Sequence, residues 1–518
     1  MNKPLLLSLA AATILGTNLS AESMYDRIQM MELQMKQMQQ ELESLKSQES
    51  KATSDEDGDE EEVAQANQAE SDDEEDDDEE DSIEDQIAEI QENISDLNRN
   101  TNGNHLKFGV DYRFAIENLD YKMADGSKQK NDAFMTNRLW MNMNWAATQH
   151  LSFTGQLAYN KAFGQRTDND TIGYNFENFD WIANENAYDD IVRVRSAYFF
   201  YKDSEFLGAD IPWTFSVGRR PSTNGHLINL RDDDHAASPM GHSINVEFDG
   251  LSAKFGLENI TGADGMYLKF CAGRGMSNAS HKFTAAPYAN DTDVEPNIDL
   301  IGLIFVPYDD GQYSINSQYY YASNLIDQVF VGGVPQNQFY TVGGLHSITA
   351  NVVANGIGDG INDFLDDTIF FVSGAMSITD PNADQGMLVS NPGESKTGYS
   401  VWVGTQFPSL ISEEGRWGLE YNHGTQYWRS ITYAEDTNIG SKVAARGDAY
   451  EAYFTEPLVE DILSLQIRYT YIDYKYAGSN GFFGNTTGNA VEITNNMTNA
   501  SNYVDKAQDI RFYLRYRY

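Results

Sequence analysis

The sequence predicts an all-β transmembrane barrel of sixteen or eighteen antiparallel strands over residues 105–518, preceded by a short α-helical coiled-coil stalk. Three observations carry that expectation. Segments of about ten residues alternate apolar and polar side chains, the length a tilted strand needs to cross a bilayer. Long polar connections alternate with short ones. In residues 509–518, Ile510, Phe512, Leu514, Tyr516 and Tyr518 share one face, while Arg511, Arg515 and Arg517 share the other with Tyr513. One apolar, aromatic-ended face and one arginine face suit a wall between lipid and a watery lumen; the alternative is an amphipathic edge strand of a soluble sheet.

The N-terminal elements follow in order. Residues 1–21 read as a secretory signal peptide: Lys3 precedes an apolar stretch over 5–15, and Ser20-Ala21 supplies small residues for a cut before Glu22. That apolar core is too short to span a bilayer as a helix. Residues 22–50 carry a heptad seam, Met24, Ile28, Met31, Met35, Met38, Leu42 and Leu45, with the alternating four-three spacing of a coiled coil. A second seam, Ile83, Ile87, Ile90, Ile94 and Leu97, occupies 83–100. Isoleucine at both core positions shifts preference from two strands to three or four, so a homotrimer is expected. The alternative is an amphipathic helix packed on another surface. Between the seams, residues 51–82 hold acidic runs that repel one another, stay hydrated and read as a disordered spacer.

Charge excludes some partners. The net charge is −44. Residues 1–104 carry 6 basic and 29 acidic side chains, −23, and the remaining 29 basic and 50 acidic leave −21 on 105–518. Such acidity argues against nucleic acid, which needs clustered Lys and Arg. The single Cys271 has no intramolecular disulfide partner and reads as an inert small residue on a strand.

The strands come next. Leu106, Phe108, Val110, Tyr112, Phe114 and Ile116 oppose Lys107, Asp111 and Arg113. Leu139, Met141, Met143 and Trp145 oppose Arg138, Asn142 and Asn144. Leu151, Phe153, Leu157 and Tyr159 share a face. Val192, Val194, Tyr198 and Phe200 are set against Arg193 and Arg195, and Leu463, Leu465, Ile467, Tyr469 and Tyr471 against Ser464, Gln466, Arg468 and Thr470. About seventeen candidate strands emerge, and an even-numbered barrel rejects one count. Long connections at 118–133, 163–189 and 220–241 alternate with short ones at 148–150, 203–211 and Phe248-Asp249-Gly250. The alternation breaks between 250 and 300, which places the error there.

A resemblance can then be named. The end of the chain resembles the assembly signal of Gram-negative outer-membrane barrels, carried here by Phe512, Leu514, Tyr516 and Tyr518. Other matching features are Met24-Tyr25-Asp26-Arg27, the acidic spacer, Leu106-Lys107-Phe108-Gly109-Val110-Asp111-Tyr112-Arg113 and Asn137-Arg138-Leu139-Trp140. Gly218-Arg219-Arg220-Pro221-Ser222-Thr223-Asn224-Gly225 and Phe248-Asp249-Gly250 complete the set. Together the chain resembles a family of uncharacterised outer-membrane porins of epsilon-class Gram-negative bacteria. The resemblance implies outer-membrane lipid, lipopolysaccharide and the barrel-assembly machinery as partners, a stalk in the periplasm, and no particular solute.

For function, the expected pore-lining residues are Lys107, Arg113, Arg138, Arg193, Arg195, Arg468, Arg511, Arg515 and Arg517. Closing the barrel brings Lys107 and Arg113 near the arginines of the last strand. Such groups steer anions through a pore; the alternative is pairing with lumen carboxylates such as Asp111. The connection holding Arg219, Arg220, Arg231, Asp232, Asp233 and Asp234 reads as a polar surface loop, or as a constriction if it folds inward. The expected function is passive diffusion of small hydrophilic solutes with mild anion preference. A structural anchor reaching the cell wall through the stalk is the second reading. An outer-membrane hydrolase is the third, and the eight scattered His residues fall in no catalytic spacing. No c-type haem motif is present; His235 beside Asp232 to Asp234 could hold a metal or equally read as a solvated loop, and no cofactor is expected.

Overall fold

The chain divides into two compact units, Met1–Gln86 and Ile87–Tyr518. The computed structural model describes residues 106–163, 192–220, 223–277, 297–358, 360–432, 435 and 437–518, all in the second unit. The signal peptide, both heptad segments and the acidic spacer lie outside the described residues.

Sixteen strands close into one antiparallel barrel. The first five are β1 (Leu106–Met123), β2 (Lys128–Ala146), β3 (Leu151–Ala162), β4 (Arg193–Asp203) and β5 (Trp213–Arg219). Next come β6 (Asp249–Gly256), β7 (Tyr267–Met276), β8 (Ile298–Asp309), β9 (Tyr313–Val331) and β10 (Val334–Asn355). The circuit ends with β11 (Ile369–Pro381), β12 (Thr397–Pro408), β13 (Arg416–Gly424), β14 (Gly447–Val459), β15 (Leu463–Tyr474) and β16 (Val504–Arg517). β16 returns to pair with β1, setting Asp111 opposite Arg517, Arg113 opposite Arg515 and Glu117 opposite Arg511. Closure leaves no sheet edge with unpaired backbone groups.

Period-two alternation sets the two faces. On β8, Leu300 is 4 % exposed while its neighbour Ile301 is 65 % exposed. Ile348, Val352, Tyr399, Val401, Ile467 and Ile510 likewise point outward, and Ser347, Thr349, Asn351, Ser400, Arg468 and Arg511 inward. The outside is apolar, and the inside is largely polar apart from apolar patches such as Leu300, Tyr320 and Leu345. No helix among the described residues is long and apolar enough to cross a membrane.

Three expectations about the strands are corrected. The supposed long connection at 118–133 is a hairpin: β1 and β2 run on to a tight turn in which Gly126 takes φ 84° and Asp125 accepts from the Ser127 amide at 2.9 Å. Its polar residues pair across strands, Lys130 with Asp120 at 2.8 Å, so a charged strand extension has the composition of a loop. Phe248-Asp249-Gly250 is not a turn, because Asp249 opens β6 opposite Arg219 on β5. On β4, a register shift between Gln156 and Leu157 of the partner strand intervenes after Val194. Beyond it Tyr198 and Phe200 face the interior with Arg195, and Phe199 faces out. One added residue exchanges every later side chain between faces.

Long connections at one end fold back into the barrel. Residues 223–248 form a loop with a single helical turn, α1 (Ile228–Arg231), and Leu227, Ile228 and Arg231 are all buried. Ile244–Asn245 of this loop pair in parallel with Ile431–Thr432 of the connection between β13 and β14. A third connection, between β15 and β16, reaches the wall where the Phe483 amide donates to the Ile326 carbonyl at 3.1 Å. Arg446 joins the second and third, donating to the carbonyls of Trp428 at 2.8 Å and Ala477 at 2.7 Å.

Candidate lumen site

The inward loop 223–248 is held on one side by charge. Arg515 of β16 pairs with Asp111 of β1 at 2.5 Å and with Asp234 of the loop at 2.8 Å, and donates to the Asp232 carbonyl at 2.7 Å. Arg517 reaches Asp234 at 2.9 Å and the Asp233 carbonyl at 2.9 Å. Arg138 of β2 approaches Asp111 from the other side at 3.3 Å, stacked 3.5 Å above the ring of Trp140. The expected surface loop is thus packed inside the wall, because its three aspartates meet arginines of the closing strands.

Further round, Glu451 of β14 is a hub. It receives Arg231 of α1 at 3.3 Å and Arg468 of β15 at 3.9 Å, together with Lys442 of the second inward connection. Lys442 also pairs with Glu420 of β13 at 2.6 Å, and Glu420 accepts from the Trp402 indole at 2.9 Å. Arg511 pairs with Glu117 at 2.9 Å. Arg195 and Arg219 share Glu247 of the loop at 3.2 and 3.1 Å.

Arg138, Arg195, Arg468, Arg511, Arg515 and Arg517 lie on the inner face in ion pairs with carboxylates. Arg113 lies inside, its guanidinium 5.3 Å from the Tyr513 ring centroid. Arg193 is half-buried on β4. Lys107 does not join the arginines of β16: pairing with that strand begins at Asp111, and Lys107 is exposed beyond it. Phe512 and Leu514 are half-buried and Tyr516 and Tyr518 exposed, on the outward register. The carboxylates Glu117, Glu247, Glu420 and Glu451 were not singled out in the sequence, though Glu117 shares the alternate positions of Asp111 and Arg113.

Glu435 and His242 are among the loop groups with shifted protonation. Burial pushes the Glu435 carboxyl up to about 7, against the opposing pull of Lys442 and Arg231. Burial lowers His242 to about 3, so its imidazole stays neutral between the hydroxyls of Ser373 at 2.8 Å and Ser400 at 2.9 Å. Among the described residues no group of three or more His, Cys, Asp and Glu is gathered for a metal ion.

On its other side the loop packs through apolar residues: Ile244, Val246 and Phe248 join Leu300, Tyr320 and Leu345 of the wall. Between the loop and the inner faces of β2 to β7 a cavity of about 590 Å³ remains, lined by Gln156, Tyr198, Arg220, Ser252, Lys254 and Lys269 among others.

Solved structures of similar chain course include OmpF of Salmonella typhi in complex with daunomycin, 12 % identical, TM-score 0.42, covering 81 % of this chain and 99 % of that one. OprB of Pseudomonas putida is 13 % identical with a TM-score of 0.43, covering 82 % and 97 %. OmpT, an outer membrane protein of Vibrio cholerae, is 13 % identical with a TM-score of 0.39, covering 79 % and 98 %. No curated protein matches the sequence. A family model described as a protein of unknown function, DUF3373, matches residues 128–518, most of the chain, and the chain belongs to that family.

Proposed function

We propose that this protein is an outer-membrane porin that passes small hydrophilic solutes by passive diffusion through a lumen narrowed by its own inward connections. The observation that carries the reading is the contrast of faces: apolar side chains outside and, over most of the wall, charges, amides and hydroxyls inside, around a closed barrel. A wall of that kind is soluble in lipid and wets its interior. Most inner arginines sit beside carboxylates, so their far fields largely cancel and they add little net steering. In this reading loop 223–248 is the constriction, Phe512, Leu514, Tyr516 and Tyr518 meet lipid and the barrel-assembly machinery, and the heptad segments trimerise a periplasmic stalk.

Planar-bilayer recording of the refolded chain tests the proposal. Wild type is expected to give small, discrete conductance steps. Replacing residues 226–245 by a short Gly-Ser linker is expected to raise conductance several-fold. A barrel that folds in vesicles yet stays closed with and without the loop would refute the porin reading.

A further inference from the structure

We infer that the cavity between loop 223–248 and strands β2 to β7 is a binding site for a small organic anion carrying two or more carboxylate or phosphate groups. Its biological use as a selectivity site rests on the porin reading; the binding does not.

Charge is the first argument. The chain holds 79 acidic side chains against 35 basic ones. Yet the cavity is lined by four basic residues, Arg195, Arg220, Lys254 and Lys269, and by no Asp or Glu among the described residues. Arg195 is committed to Glu247. The other three make no ion pair among the described residues. Arg220 donates to the hydroxyls of Ser216 and Ser252 and lies 5.2 Å from the Tyr198 ring centroid. Lys254 sits 3.9 Å from the Tyr267 ring centroid, and Lys269 donates to the Ser238 hydroxyl. Asp309 acts on Lys254 only as a Coulombic neighbour from outside the lining.

Register is the second argument. Lys254 of β6 and Lys269 of β7 are direct cross-strand partners, and Arg220 and Lys254 both act electrostatically on Lys269. Like charges directly opposite one another destabilise a sheet. Elsewhere in this lumen buried cations meet carboxylates, as at Asp111, Glu117 and Glu451, or rows of backbone carbonyls, as at Arg429 and Arg446. Here the cations are assembled against repulsion around open space, and an anion with two or three charges would relieve it.

Size and lining name the rest of the ligand. A volume of about 590 Å³ falls within the range of small-molecule sites and exceeds a bare inorganic anion. Amides and hydroxyls from Asn142, Gln156, Thr214 and Ser252 suit a hydroxylated body, and Tyr198 and Phe200 offer ring faces.

Cys271, the single cysteine, lines the same cavity and reports on it in the unmodified protein. Its thiolate displaces sulfinate from a methanethiosulfonate reagent, forming a mixed disulfide. In the refolded full-length chain, an anionic reagent is expected to react about 10-fold faster than a cationic one. Millimolar citrate or glucose 6-phosphate should protect the thiol, glucose should not, and the better protector identifies carboxylate or phosphate as the preferred group. Lys269→Gln and Arg220→Gln should each weaken protection about 10-fold, while Lys475→Gln, on an exposed pair with Asp473, should leave it unchanged. Calorimetric titration with citrate gives a readout independent of the thiol. Equal reagent rates with no anion protection, or a thiol that does not react together with no citrate heat, would overturn the site. Conductance without anion binding leaves the porin and removes the site; anion binding in a non-conducting barrel does the reverse.

Discussion

Loop 223–248 is held by two unlike walls. On the side of β14 to β2, Asp232 to Asp234 and Arg231 meet Arg515, Arg517 and Glu451, an array of ion pairs with few exposed members. On the side of β8 to β10, Ile244 and Val246 meet Leu300, Tyr320 and Leu345, with no charge involved. The first contact is directional: its buried pairs, such as Arg231–Glu451 and Arg515–Asp234, were taken out of water at a cost and repay it only in one geometry. The second is indifferent to orientation and scales with area, about 1.5–3 kcal/mol for each side chain fully buried. Register comes from the charged wall and adhesion from the apolar one.

The comparison breaks most visibly at Arg515, which serves both the barrel seam and the loop. Arg515→Ala leaves Asp111 with one arginine and Asp234 with one, and is expected to cost about 3–5 kcal/mol. Urea unfolding in lipid vesicles, with proteolysis of the loop as a second readout, would show both contacts loosened together. Ile244→Ala is expected to cost about 2–4 kcal/mol. It should loosen the loop while leaving unfolding of the barrel seam unchanged. If the two variants free the loop and weaken the seam alike, the division of labour is wrong.

A smaller effect sharpens the charged side. Glu435 is raised to about 7 from an ordinary carboxyl value of 4.5, so the folded loop holds a proton that the unfolded chain releases. Its contribution is complete below 4.5 and is lost as pH rises through about 7. Docking of the connection between β13 and β14 should weaken between pH 5 and 8 by roughly 1–3 kcal/mol, and Glu435→Gln should flatten that profile. Hydrogen exchange of the buried segment around Val443 measures it. An unchanged slope in the variant would assign the pH dependence to another group.

Much of the wall was legible in the sequence, because alternation along a strand is local information. Residues 509–518 display both faces in ten positions, and the structure sets them as read, Arg511 and Arg515 in, Ile510 and Tyr516 out. The bulge on β4 was invisible, since a single extra residue leaves composition unchanged while inverting Tyr198 and Phe200. The loop's direction was hidden for another reason: Asp232 to Asp234 are as compatible with water as with arginines about 280 residues away. The Lys254–Lys269 opposition required register between two strands, which one sequence does not supply.

The meeting of β16 with both β1 and the loop also has a consequence for the order of events in folding. Arg515 cannot hold Asp234 in place until β16 has found β1, because the same guanidinium spans both. Until then the loop has its apolar grip and its pairs with Glu451, Arg195 and Arg219, while its aspartates remain free to rearrange. Closing the circle and locking the loop's aspartates are therefore one step, and a chain that fails to close cannot pass as finished.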